Sequence, residues 1–449
     1  MSRRTPRSKV VPSARIPVGI WAQWPKGARW SNEGMTRLLG FLIEGIADSS
    51  YLFRIVLPDW IRAEAEDDLN RLAAVAGVDF TLHSPGDHGL EITNMGELAE
   101  FANAFVEVSG WLSVFPSFNF GTRLEKPLAV IFPDGIPKVF HEFSDAAWGY
   151  NGNHAVWESY VREMLDRADR VVTFSKHVRD DQLSRVFSVD PSKVIVVPHA
   201  SPDLAPMLPF VRERRRTPES VAIAAAMLRD HSLERGWDYL SNYPFDQVPF
   251  VAVSTQDRVT KNIRLILDSV LRLVREERRD LKILATAPLH FGADWTVLPA
   301  AIEHRQAHRD LISMPDLPRE EHAALFHCAA VAVHASIFEG GHAPFPFYEA
   351  VSVGTPCLMA RGPHTEELLE SAPELEPFLF DPNDADGLAR LIMETCASRT
   401  SALAIQQKAY ERFRRRSWSD VSLAYAEAAV LGPLDAGSRH ERISTEVTQ

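Results

Sequence analysis

The stretch from Ala324 to Glu366 constrains the fold of this chain more than any other. An apolar helix face leads into a short apolar run, Val331 to Val333, which reads as a buried strand. A loop then carries Glu339, Gly340 and Gly341, and a second helix is expected from near Pro346, with Glu349 in its first turn. Ten positions separate the two carboxylates, and both are expected to face the crevice where strand gives way to helix. In open α/β sheets ligands bind at that carboxyl edge. A helix N-terminus offers unpaired N–H groups and partial positive charge, which suit a phosphate. An ionised Glu beside it can accept two hydrogen bonds from sugar hydroxyls. Diphosphate plus sugar describes a nucleotide sugar.

The same alternation extends along the chain. Val18 to Trp21, Arg54 to Leu57, Phe80 to His83 and Pro127 to Phe132 read as strands, with helices between them marked by Met35, Leu38, Leu39, Leu42 and Ile46 and by Leu69 to Ala76. Alternating strands and helices favour a doubly wound parallel sheet. From Ala155 a helix face (Trp157, Val161, Met164, Leu165) leads to the strand Val171 to Phe174. Ser175 follows as a helix N-cap, then a helix from Lys176 to Phe187 and a strand from Val194 to Val197. Pro202 to Pro218 is rich in proline and arginine and reads as a linker. Past it come a helical insert from Glu219 to about Leu240, the strand Phe250 to Ser254, a helix from Asn262 and the strand Leu281 to Ala285. The expected organisation is a basic tail (1–15), an N-terminal Rossmann-like domain (16–205), a linker (206–218) and a C-terminal Rossmann-like domain (219–415). A helix crossing back to the first domain (416–431) and a polar, mobile tail (432–449) complete it.

With 449 residues, 45% hydrophobic and 24% charged, the chain can bury two full cores. Its net charge of −12 argues against a nucleic-acid binder that works by neutralising phosphates. Basic clusters at Arg3, Arg4, Arg7, Lys9 and Arg15, at Arg212 to Arg216 and at Arg412 to Arg416 would suit anionic lipid headgroups, or are simply solvated. No signal peptide and no spanning apolar run is visible, and Cys328, Cys357 and Cys396 lack disulfide or metal spacing. Together these point to a cytoplasmic protein, in contact with a membrane at most peripherally.

Two segments carry a family resemblance. The run from Glu339-Gly340-Gly341 through Pro346 and Glu349-Ala350 to Gly354, Thr355 and Pro356 resembles the donor-binding segment of retaining, family-four-type glycosyltransferases. These are the group 1 enzymes of two-Rossmann-domain (GT-B) architecture. Their usual pattern, EGFGxPxxEA, is two residues shorter in the loop. The run from Asp169 to His199 is similar to the end of their N-terminal domain. The resemblance implies two Rossmann-like domains facing across a cleft and a sugar moved, with retention, from a nucleotide sugar to a hydroxyl acceptor. Polysaccharide or glycoconjugate synthesis is the expected setting. Glu349 matches the Glu that binds the ribose hydroxyls, Glu339 the Glu near the donor sugar, and Lys261 the Lys that meets the diphosphate. Asp134, in VIFPDGIPK, matches an acceptor-side Asp.

The residues themselves leave some choices open. Arg258 and Lys261 stand where a fixed cation would stabilise a departing diphosphate, and cations at a helix start are otherwise unfavourable. Asp384-Ala385-Asp386 is the one Asp-x-Asp candidate for a metal. It lies directly before an amphipathic helix, where capping explains it, so no metal and no cofactor beyond the nucleotide sugar itself is expected. Asp134 either orients an acceptor hydroxyl or caps a turn. His342 lies in the longer loop beside Glu339, and the glycines from Gly27 to Gly34 either approach the donor phosphates or only make a turn. Pro133, Gln256 and Ala200 stand where the family usually has His, Arg and Gly. Those departures keep two other readings open: a non-catalytic nucleotide-sugar-binding scaffold, and a different reaction on the same fold, such as sugar-nucleotide epimerisation or phosphorolysis.

Overall fold

The short apolar runs become parallel strands in two separate sheets. This computed structural model describes residues 15–30, 34–47, 49–76, 80–140, 154–289, 298–341 and 343–432. The basic tail through residue 14, His342 and the polar tail from residue 433 lie outside them. The first sheet contains β1 (Ile16–Trp21), β2 (Tyr51–Val56), β3 (Phe80–His83), β4 (Gly110–Ser113), β5 (Leu128–Ile131), β6 (Arg170–Thr173) and β7 (Val194–Val196). Their order is β3-β2-β1-β4-β5-β6-β7. The second contains β8 (Phe250–Val253), β9 (Lys282–Ala285), β10 (Leu311–Ser313), β11 (Val331–His334), β12 (Cys357–Ala360) and β13 (Leu379–Phe380), in the order β10-β9-β8-β11-β12-β13.

Every pairing in both sheets is parallel. Helices cover both faces of a parallel sheet, so the central strands β5, β8, β11 and β12 are buried at every residue. In each sheet the strand order reverses beside the first strand, between β1 and β4 and between β8 and β11. A crevice opens at such a reversal, at the carboxyl ends of the strands.

Sequence reading misses β4, β10 and β12 and the helix Met95–Phe105. In β4 (GWLS) the cause is tertiary. A side chain at Gly110 would put its Cβ 1.9 Å from the Ala429 carbonyl oxygen, because the final helix, Trp418–Val430, crosses directly over it. Gly45 meets the same helix at the Trp418 carbonyl. That helix contributes Val421, Tyr425, Ala426 and Ala429 to the core of the first sheet, although it follows the second in sequence. The expected helix does begin at Lys176, but its winding and the role of Ser175 differ from the expectation. Val178–Val186 is wound as a π-helix, and the Ser175 hydroxyl donates instead to the Gly340 carbonyl across the cleft, at 2.5 Å.

Two of the four linker arginines are committed within the fold, while Arg212 and Arg215 are exposed. Arg214 pairs with Asp203 (2.9 Å) and Glu411 (2.7 Å), and Arg216 donates to the Ala329 carbonyl. Of the later cluster, Arg412 pairs with Glu374, and Arg416 donates to the Pro198 carbonyl. No helix among the described residues is long and apolar enough to cross a membrane.

Candidate functional site

Two loops at the β8/β11 reversal build the site. After β8 the chain makes a single 3-10 turn, Val259–Lys261, and leaves it through Asn262, whose φ of 50° is left-handed. Asn262 Nδ2 donates to the Pro382 carbonyl at 2.9 Å and holds that conformation. The buried Thr260 offers its carbonyl to the Ile337 N–H (2.9 Å) and the Ser336 hydroxyl (3.3 Å) of the loop after β11. Zipped together, the loops bring Lys261 Nζ to 2.5 Å from Glu339 Oε1. His334, the last residue of β11, reaches the same oxygen at 2.9 Å. Burial would push Glu339 up, but the Lys261 charge and the His334 contact outweigh it and hold the carboxyl well below its ordinary range.

Glu349 does not lie in the first turn of its helix, Phe345–Ser352, but one turn in, and its side chain is completely buried. One oxygen pairs with Arg37, which comes from the N-terminal domain on the helix Gly34–Ile46. The other, Oε2, has no hydrogen-bond partner. Burial raises its affinity for a proton, yet the Arg37 guanidinium above all, with Arg319 behind it, holds the Glu349 pKa below its ordinary value. His322 is anchored by Ser254 Oγ at 2.9 Å. The face of the Gly34–Ile46 helix that carries Arg37 also carries Phe41, stacked on Trp418 at 4.4 Å, and Glu44, which meets Arg319 at 3.1 Å.

A second seam closes the cleft on the other side of Glu339. The Phe338 ring sits in the first domain's core, against Phe140 and His177. A Cβ on Gly340 would fall 1.9 Å from the Pro133 carbonyl oxygen, so only glycine allows this approach. His177 Nε2 bonds the Glu339 carbonyl at 3.0 Å, while its Nδ1 and N–H engage Glu367 at 3.1 and 3.0 Å. Burial works against the Glu367 charge, but these bonds and the Lys176 N–H hold its carboxyl down at about 2. Asp134, in the loop after β5, accepts from the Ile136 N–H at 3.1 Å, which is the turn-capping role. It also lies within the fields of Glu339, Lys261 and Arg258, and burial, reinforced by the Glu339 charge, raises its pKa. Both roles left open for Asp134 therefore remain compatible with its position.

Lys261 meets Glu339 directly, Gly340 abuts Pro133 and Gly341 lies near His199, Asp134 lies within the fields of Glu339, Lys261 and Arg258, and Glu349 sits on the helix that follows. His342 lies outside the described residues. Gly27 takes φ +90° in open space, as a turn residue does. Asp384 caps the helix Ala385–Ala397 by accepting from the Gly387 N–H at 2.8 Å, and Asp386 pairs with Arg272. Sequence reading misses Arg37, His177 and Glu367, because each reaches the site across the cleft. It also passes over His334, whose position at the carboxyl end of β11 is a signal that was available.

Residues 243–412 match the family described as glycosyl transferases group 1. Among solved structures, the chain is similar to HepE of Anabaena in complex with UDP-glucose, with a TM-score of 0.61 at 14% identity over 92% of this chain and 99% of that one. It is also similar to sucrose-phosphate synthase of Thermosynechococcus elongatus (TM-score 0.63, 14% identity, 92% and 98% covered). A glycosyltransferase of Rickettsia africae gives a TM-score of 0.58 at 13% identity, with 92% and 98% covered. No curated protein matches. At such identities the likeness is one of fold, and the fold is GT-B: two Rossmann-like domains with a cleft between them.

Proposed function

We propose that this protein, whose second domain is a glycosyl transferases group 1 domain, moves a sugar from a nucleotide sugar to a hydroxyl acceptor, with retention and without a metal ion. The observation that carries the reading is the pair of carboxylates at the β8/β11 reversal. Glu339 is ionised between Lys261 and His334, and Glu349 is fully buried with Oε2 unpaired. A buried acceptor without a partner is costly, and a ribose hydroxyl would satisfy it. Lys261 and Arg258 would meet the diphosphate as fixed cations.

In the reaction the bond from the sugar's anomeric carbon to the diphosphate oxygen breaks, and a bond to the acceptor oxygen forms on the same face. The acceptor proton passes to the departing diphosphate oxygen. Glu339, held ionised by its two partners, is a weak base, which favours this route over a side-chain base. Asp134, with its raised proton affinity, would accept from the incoming hydroxyl and orient it. Metal independence is supported by the employment of Asp384 and Asp386 as a helix cap and an ion pair. Synthesis of a polysaccharide or glycoconjugate follows from the family resemblance.

The test is thermal stability with UDP, GDP and ADP, alone and as sugar conjugates, in EDTA. A ligand at about a hundred times its dissociation constant adds about 2.7 kcal/mol. A shift with one base supports the reading and identifies the donor. No shift with any of them removes it. A binding protein without turnover is the second reading, favoured by Pro133, which abuts Gly340 through its carbonyl and has no side chain that could handle a proton. Binding without sugar transfer, followed by NMR of the anomeric product, would select it.

A further inference from the structure

We infer that His364 determines specificity for the sugar of the nucleotide sugar, exchanging hydrogen bonds with its hydroxyls beside Glu339. The inference rests on the function proposed above and extends it to the pocket of the transferred group. His364 is the second residue of the helix Pro363–Ser371, at the carboxyl end of β12, the strand next to the one that leads to Glu339. Its side chain has no exposure, yet neither ring nitrogen has a hydrogen-bond partner. The other two buried histidines among the described residues are both bonded, His327 to Ser220 and the Val353 carbonyl, and His334 to Glu339. Buried polar groups of a native protein are nearly always paired, so two unpaired nitrogens on one ring call for a partner that is not part of the chain.

The surroundings say where that partner would lie. The turn bearing His364 is pressed on the loop that leads to Glu339: a Cβ on Gly362 would fall 2.9 Å from the Ile337 carbonyl and 3.0 Å from His364 Cε1. The ring also lies within the fields of Glu339, His334, His177 and Lys261, the groups at the crevice mouth. Burial, more than those neighbours, pushes its pKa down to about 3. The ring is therefore neutral at physiological pH, with one N–H to donate and one nitrogen to accept. That pairing suits a hydroxyl, and it gives no charge to a carboxylate or a phosphate. Glu349 Oε2, on the helix after β11, is another unpaired buried atom of the site, so a ligand joining it to His364 would run from ribose to sugar.

The experiment is calorimetric titration of UDP, GDP and ADP and of their glucose conjugates into wild type, His364→Leu, His364→Ala and His364→Asn. Expected is unchanged affinity for the free nucleoside diphosphate in all four. For the conjugate, His364→Leu and His364→Ala should bind about tenfold more weakly, and His364→Asn should recover part of the loss. His364→Leu should also melt no lower than wild type, since it removes two unpaired buried polar atoms. Equal affinity for the conjugate in wild type and both apolar variants would overturn the inference and leave His364 a core residue. So would equal weakening of diphosphate and conjugate. Binding of none of the six compounds by the wild type would instead bring down the functional reading itself.

Discussion

Glu339 and Glu349 stand ten residues apart and are charged in different ways. Glu339 has both side-chain partners, Lys261 and His334, within its own domain, and a fifth of its side chain is exposed. Glu349 is fully buried, takes its one bonded partner, Arg37, from the opposite domain and leaves an oxygen unpaired. The first carboxylate is thus preorganised whether or not the cleft is closed. The second is balanced only while the domains meet or a ligand sits between them, because an uncompensated buried charge is expensive. One site therefore combines a fixed electrostatic centre with a contact that senses closure.

The largest expected effect lies in the chemistry of both. Glu349→Ala and Lys261→Ala should each lower transfer by about a hundredfold or more, as loss of a principal electrostatic contact does. Circular dichroism should show the fold intact, and near-normal turnover in both variants would sink the assignment. Next comes closure itself. Gly340→Ala drives a methyl group into the Pro133 carbonyl, so the seam must open. Transfer should fall by about tenfold or more, and the radius of gyration from small-angle scattering should rise; an unchanged radius with full activity would show that the seam yields elsewhere. A smaller effect separates the two carboxylates directly. Arg37→Ala leaves Glu349 without its bonded partner, whereas Lys261→Ala leaves Glu339 still bonded to His334. Because Arg37 is 42% exposed, solvent screens much of the pair, and the difference should be about 1 kcal/mol in urea unfolding. Equal stability of the two variants would erase the distinction between fixed and closure-dependent charge.

What the sequence discloses follows the same division. The β8 and β11 loops are legible because their chemistry is local: Lys261 and Glu339 each sit one loop beyond a recognisable apolar run, and Glu349 lies shortly after a proline that starts a helix. The capping role of Asp384 is legible for the same reason. The cross-cleft partners are not. Arg37 is separated from Glu349 by 312 positions and His177 from Glu367 by 190, and nothing near either residue marks it. The strand β4 is hidden because Gly110 is shaped by a helix more than 300 positions later, and local propensity carries no trace of that contact. Ser175 shows how a locally sound rule fails: a serine after a strand is a fair cap, but here its hydroxyl is spent on Gly340 in the other domain.

The smallest effect is in pH, and it asks whether the seam or the site carries the acid sensitivity of closure. Glu367 has an ordinary value of 4.5 and is held at about 2 in the folded protein, where burial is outweighed by the bonds from His177 and Lys176. A carboxyl whose folded value is depressed contributes stability in full above its unfolded value and loses it as pH falls through the folded one. The Glu367 contribution should therefore decline between about pH 4.5 and pH 2. Glu339 and Glu349 act with the same sign, while Asp134, whose pKa is raised, gains as pH falls and opposes them. Glu367→Gln keeps an acceptor but no charge, so its urea midpoint should drop less than that of wild type across this window. Equal drops would mean that other depressed carboxylates, Glu339 and Glu349 in the site or Glu158 and Asp180 outside it, carry the acid sensitivity, and that the seam does not.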